Sequence, residues 1–167
     1  MASVMLLALD PPKLQTLIDS TEEFERQNNV SLGNNGALAR EMAKHTRDAL
    51  RRNAGDPGWW GYLALDTETR TAVGSCGFKG SPNAAGIVEI AYITFPDCEG
   101  SGYATEMARI LVNVAFSSGS VKRVVAHTLP EHNASTRVLE KAGFRLLGEH
   151  HDLEDGTAWR WTLEGPR

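Results

Sequence analysis

The sequence predicts an α/β chain: a mixed sheet with helices on both faces. Three observations point there. Apolar residues recur at helical spacing from Ala37 to Asn53, and the period then changes to that of a strand in "WWGYLALD" and "TAVGSCGFKG". Strand-like and helical runs then follow in the order β-α-α-β-β-β-α-β-α-β-β. Two glycines, Gly100 and Gly102, stand directly before the amphipathic run "YATEMARILVNVAF", as in a tight loop that opens a helix.

Val4 to Leu9 reads as a first strand, ended by Asp10-Pro11-Pro12. Asp10 can cap a helix with proline in its first turn, and that helix is expected to run to about Gln27. "NNVSLGNNG" is a loop. Ala37 to Asn53 carries Leu38, Met42, His45 and Ala49 at helical spacing, and "GDPG" stops it. "WWGYLALD" and "TAVGSCGFKG" read as two strands joined by "TETR", a hairpin. "SPNAAG" leads into "IVEIAYITF", a strongly β-prone run. After the glycine loop and its helix, with Met107, Ile110, Leu111 and Val114 on one face, "VKRVVAHT" is a strand. "NASTRVLEKAG" is a helix that Gly143 stops. "FRLLGEHH" and "TAWRWTL" close the chain as two strands around the turn "EDG".

The 167 residues suit one domain, 1–167, long enough to bury a core. Hydrophobic residues make up 41% and charged ones 23%, so disorder is not expected. A net charge of −4 argues against a general nucleic-acid partner, which needs a basic surface. Cys76 and Cys98 are too few for a disulfide framework and lack metal-ligand spacing, which suits a reduced, cytoplasmic setting. The apolar run at Val4–Leu9 is far too short to span a membrane and has no basic flank. Oligomeric state is left open, a homo-oligomer included.

The glycine loop carries the first chemical signal. Glycines let backbone N–H groups turn toward a ligand, and a helix N-terminus adds roughly half a positive charge. The loop lacks the lysine of a Walker motif, and Thr105 occupies the last glycine position of the dinucleotide pattern. Alone, the pair reads equally as a structural turn or a phosphate cradle. A second signal is Glu89, nearly the only charge in its strand. Its face also carries Ile87, Ala91, Ile93 and Phe95, an apolar setting that raises a carboxylate's proton affinity toward base work. The alternative is a strand carboxylate paired with Arg or Lys on a neighbouring strand.

Taken together, "VEIAYITF…EGSGYATEMARILVNVAF…VVAHTLPEHNASTRVLEKAGF" resembles the GNAT superfamily of acetyl-CoA-dependent N-acetyltransferases, most of all the branch that acetylates N-terminal residues of ribosomal proteins. The resemblance covers about residues 60 to 163, and the N-terminal helices by position only. It implies a mostly antiparallel sheet of about seven strands, acetyl-CoA as acetyl donor, an amine acceptor on a peptide or small molecule, and no metal. The family's Gln/Arg-x-x-Gly-x-Gly/Ala motif matches at Gly102-Tyr103-Ala104, with Glu99 where Gln or Arg is expected. The resemblance therefore implies that backbone amides of Gly100, Ser101, Gly102, Tyr103, Ala104 and Thr105 hold a pyrophosphate. It also implies that Ile93, Thr94 and Phe95 pair with the pantetheine arm, with an N–H near Ile93 facing the oxyanion. Glu89, thirteen residues before Gly102, falls where relatives often carry a general base.

Relatives open their next helix with Asn-x-x-Ser/Ala and often place Tyr seven residues after the Asn. Here those positions hold His132 and Leu139, with Asn133 adjacent to take over the Asn's hydrogen bonds. Ser135 matches the serine of the ribosomal-protein branch. It is read either as a donor to the departing thiolate or as the helix cap. The missing tyrosine and asparagine keep a second reading alive, an acyl-CoA-binding protein with little or no transferase activity. His127, His150 and His151 read as strand-end or cleft-wall residues, and Trp59, Trp60, Trp159 and Trp161 as packing or rim.

Overall fold

The computed structural model describes residues 2–53, 57–152 and 156–166. Strand β1 (Val4–Ala8) leads to Asp10, whose Oδ1 accepts a hydrogen bond from the Lys13 N–H at 2.9 Å and starts helix α1 (Pro11–Asp19). The single helix expected to reach Gln27 is in fact two. Ser20 adopts an extended backbone (φ −155°), ends α1 and caps α2 (Thr21–Asn28) by accepting from the Glu23 N–H at 3.2 Å. A hydroxyl that can satisfy an orphan amide competes with helix continuation, and here it wins. Helix α3 (Gly36–Asn53) follows, so three helices rather than two precede β2 (Gly61–Asp66).

Tryptophans 59 and 60 lie just ahead of β2, Trp59 in a 3₁₀ turn, rather than in the strand. β2 and β3 (Ala72–Phe78) form the expected hairpin, and Asp66 Oδ1 fastens its turn by accepting from the Glu68 and Thr69 N–H groups. β4 (Ile87–Thr94), α4 (Tyr103–Ser117), β5 (Arg123–Thr128), α5 (Ala134–Lys141), β6 (Arg145–Asp152) and β7 (Gly156–Glu164) complete the order. Of the closing turn, Glu154 and Asp155 lie outside the described residues.

Among the described residues the strands form one seven-stranded sheet, ordered β1-β2-β3-β4-β5-β7-β6. Every neighbouring pair is antiparallel except β4–β5. Helices cover both faces. On one, Leu14, Leu17, Phe24 and Ala43 of α1–α3 pack on Leu63, Leu65 and Phe95. On the other, Met107, Ala108 and Leu111 of α4 and Leu139 of α5 pack on Val88, Ile90 and Val124. Alternation decides which face each β4 side chain joins: Val88 and Ile90 are core on the α4 side, while Glu89, Ala91 and Ile93 point to the α3 side.

Candidate active site

The site begins where the sheet comes apart. β4 and β5 pair only at Ile87↔Arg123, Val88↔Val124 and Glu89↔Val125, and then diverge. The direction of the free backbone groups follows from the β3–β4 ladder. The Lys79 N–H donates to Glu89 O and the Phe95 N–H donates to Val73 O, both at the edge facing β3. Paired groups recur every second residue, so Glu89, Ala91, Ile93 and Phe95 direct their polar backbone atoms to β3. Gly86 O, one position out of step, accepts from the Lys122 and Arg123 N–H groups on the opposite side. The Glu89↔Val125 pair takes up the Ile90 N–H, so the N–H groups left facing the gap belong to Tyr92 and Thr94. The Ile93 N–H itself faces β3, and the N–H groups near it that face the gap are its neighbours'. The expectation for Phe95 is corrected, because its side chain is fully buried and its N–H and C=O are both spent, on Val73 and Cys98.

A cavity of about 440 Å³ opens beside this edge. Ile93, Thr94, Gly100, Gly102, Tyr103, Ala104, Thr105 and Ser135 all line it, as does Glu99. Ser101, exposed between the two glycines, does not. Gly102 holds a left-handed backbone (φ 86°) and caps α4 without any side-chain hydrogen bond, so the helix's leading N–H groups face the cavity unclaimed by a cap. Tyr103 donates its hydroxyl proton to Asp66 Oδ2 at 2.7 Å, tying the loop to the β2–β3 turn. That bond and the turn amides hold the Asp66 carboxyl below its usual range. Arg137 and Lys141, one turn apart on α5, supply cations on the facing wall. They escaped the sequence reading, although their i, i+4 spacing puts them on one helix face.

At α5 the cap belongs to Asn133. Its Oδ1 accepts from the Thr136 N–H at 3.1 Å, and Thr136 Oγ1 accepts from the Asn133 N–H at 2.9 Å, a reciprocal box. The Asn133 side chain is therefore committed to the helix. His132 is exposed and packs edge-on against Trp159, ring centroids 5.0 Å apart. Neither lines the cavity. Ser135, relieved of the capping role, lies one residue inside the helix with its Oγ 3.2 Å from the hydroxyl of Tyr92.

A second cavity of about 380 Å³ lies on the α3 face of the sheet. Met42, His45 and Ala49 of α3, Trp60, Phe78 and Lys79 contribute to its walls, and Tyr92 and Ile93 line both cavities. Beside it, Glu89 Oε2 sits 3.2 Å from Lys79 Nζ and 3.1 Å from His127 Nδ1, with its side chain 24% exposed. Glu89 thus has a lysine partner, as the alternative foresaw, from the residue that follows β3, and its surroundings are not the purely apolar face expected. Ala91 and Ile93, next along that face, are exposed. His127 and His150 have ring centroids 4.8 Å apart with the rings tilted by 47°, and the buried His127 Nε2 has no hydrogen-bond partner among the described residues. Of the tryptophans, Trp60 lines the second cavity, while Trp59, Trp159 and Trp161 pack in or against the core.

Residues 7–145 match the family described as Acetyltransferase (GNAT) domain. The uncharacterized N-acetyltransferase YjdG of Bacillus subtilis is 30% identical over 153 residues, 86% of this chain and 91% of that protein. The chain belongs to the GNAT acetyltransferase family. Two solved structures share the fold at lower identity. The ribosomal L7/L12 alpha-N-protein acetyltransferase RimL, in complex with coenzyme A, superposes with a TM-score of 0.68 at 16% identity, covering 99% of this chain and 96% of its own. The aminoglycoside acetyltransferase AAC(6')-Ib, in complex with coenzyme A and kanamycin, gives 0.67 at 18%, covering 97% and 95%. This GNAT chain is accordingly an acyltransferase of the N-acetyltransferase kind. No helix among its described residues is long and apolar enough to cross a membrane.

Proposed function

We propose that this enzyme moves an acetyl group from acetyl-CoA to a primary amine, on a peptide or small molecule, by direct attack across the junction of its two cavities. One observation carries the reading. A helix N-terminus capped by Gly102 without a side-chain hydrogen bond opens onto a cavity that shares the lining residues Tyr92 and Ile93 with a second cavity, beside the β4 edge that β5 leaves. The α4 amides, with Arg137 and Lys141, suit a pyrophosphate. The edge of β4 suits an extended amide-bearing arm, as an added strand would. The Tyr92 and Thr94 N–H groups suit an oxyanion. Glu89, through a water, takes the proton that an amine must lose before its lone pair can attack. Holding both substrates at one junction supplies much of the acceleration, and no covalent enzyme intermediate is required.

The test is a thiol-release assay with acetyl-CoA against a library of peptides and small amines. Release with at least one amine, together with mass-spectrometric acetylation of nitrogen, is expected. Acetyl-CoA binding without turnover across the library would leave only an acyl-CoA-binding protein.

Glu99 stands exposed at the mouth of the loop. Its repulsion toward phosphate is screened over about 8 Å at physiological ionic strength. Backbone amides do the holding, so the acid weakens the grip without preventing it. Glu99→Arg is expected to tighten acetyl-CoA binding, with the gain shrinking as salt is added. Calorimetry at two ionic strengths checks it, and a salt-independent Kd for the variant would remove Glu99 from the electrostatics of the site.

Ser135→Ala is expected to slow turnover about 2–12-fold, the loss of one hydrogen bond worth about 0.5–1.5 kcal/mol in the transition state. Because Asn133 caps the helix, Tm should stay put. A drop in Tm with unchanged turnover would make Ser135 a structural residue.

A further inference from the structure

We propose that Tyr92 is the acid that protonates the departing thiolate of coenzyme A, with Ser135 holding its hydroxyl in place. The proposal rests on the acetyl-transfer reading above and adds a catalytic residue to it. In the pattern this chain resembles, a tyrosine on the α5 helix occupies the position of Leu139. Here that side chain is fully buried in the α4-side core, so α5 delivers no phenol there. A phenol reaches the same helix from the other direction. The Tyr92 hydroxyl, carried on β4, donates to Ser135 O at 3.2 Å and lies 3.2 Å from Ser135 Oγ, which can donate to it, at the first turn of α5. Tyr92 also lines both cavities, which places it where the acyl group has to pass between them.

Other proton-bearing groups on the first cavity's wall are less suited. Tyr103 gives its proton to a carboxylate, Asp66, at 2.7 Å, a shorter and charge-assisted bond than the 3.2 Å contacts of Tyr92 with Ser135. Arg137 and Lys141 are the cations set against the pyrophosphate in the reading above. The Cys98 thiol faces the Asp97 carboxylate at 3.4 Å. Thr94 and Thr105 are aliphatic alcohols, which hold their protons far too tightly to acidify a thiolate. Burial pushes the Tyr92 phenol above its ordinary value, so it enters the reaction with its proton on.

The step balances simply. As the tetrahedral intermediate collapses, the C–S bond breaks and its electron pair goes to sulfur. The Tyr92 O–H bond breaks toward that sulfur, giving the free thiol and a tyrosinate that Ser135 Oγ–H steadies. The proton lost by the amine to Glu89 is released to solvent, and solvent restores the phenol. The sums on both sides are amine plus thioester, and amide plus thiol.

The experiment compares two donors, acetyl-CoA and its selenoester analogue, whose selenolate leaves without protonation. Thiol release and acetyl-CoA binding by the unmodified enzyme are measured first, and their absence would refute the acetyl-transfer reading itself. With those established, Tyr92→Phe is expected to lower kcat about 10²-fold with acetyl-CoA. It should run close to the unmodified enzyme with the selenoester, and its Kd for acetyl-CoA should be unchanged. Equal losses with both donors would make Tyr92 a packing residue, and no loss with acetyl-CoA would exclude it as the acid. Tyr92→Phe combined with Ser135→Ala should be no slower than Tyr92→Phe alone, because groups acting as one unit fail together. Multiplying losses would overturn the holding role of Ser135.

Discussion

Glu89→Gln is expected to lower turnover about 10²–10⁴-fold while leaving acetyl-CoA affinity nearly unchanged. The amide keeps the carboxylate's volume and removes almost all of its proton affinity, so an amine bound as ammonium would no longer be relieved of its proton. The structure adds a condition to the reading. Glu89 Oε2 is approached by both Lys79 Nζ and His127 Nδ1, so the substitution also loosens an ion pair at the edge of the second cavity. Two measurements separate the causes. Loss of a base lowers kcat at saturating amine and spares the Kd of acetyl-CoA, whereas a disturbed sheet would raise that Kd and lower Tm. Unchanged turnover, under conditions where chemistry limits the rate, would take Glu89 out of the mechanism and leave it as a strand anchor for Lys79.

Gly102→Val is expected to abolish acetyl-CoA binding. The position holds φ 86°, where a β-branched residue is strained by about 1–3 kcal/mol. A Cβ there would stand 3.6 Å from Ala2 Cβ, so space alone does not forbid it. The damage comes from the left-handed cap and from branched methyl groups standing beside the α4 amides. Gly102→Ala serves as the graded control, with the same backbone strain and less bulk. Titration calorimetry that finds the valine variant binding within about threefold of the unmodified protein, a difference under about 0.7 kcal/mol, would sink the loop's role.

Much of this was legible along the chain because it is local. Glycine at 102 ahead of an amphipathic run, alternation through "IVEIAYITF" and the stop at Gly143 are each written within a few residues. The division of the first helix was legible too: Ser20 and Glu23 stand in the spacing of a capping box, but the proline-led start drew the helix past them. Arg137 and Lys141 escaped although their spacing is local, because nothing along the chain says which face of α5 meets the cavity. The rest of what escaped depended on register between distant strands. Glu89 meets His127 only because Glu89 pairs with Val125 and the next residue on the same face of β5 is His127. The direction of the Ile93 N–H turned on which residues of β4 pair with β3, a parity that no single strand reveals. Tyr92 reads as one more β-prone aromatic until α5 is brought over it.

That parity has an evolutionary consequence. Even-numbered β4 side chains lead toward the α4 face, where Val88 and Ile90 are locked in the core and Tyr92 meets α5, whereas odd-numbered ones open toward α3. Substitution at Ala91, or along Met42, His45 and Ala49, can reshape one wall of the second cavity while the packing beneath the glycine loop stays as it is, because none of these residues lines the first cavity. On the acetyl-transfer reading, a lineage could then change the amine it accepts by drifting at positions of one parity on β4 and along one face of α3, and keep its donor throughout.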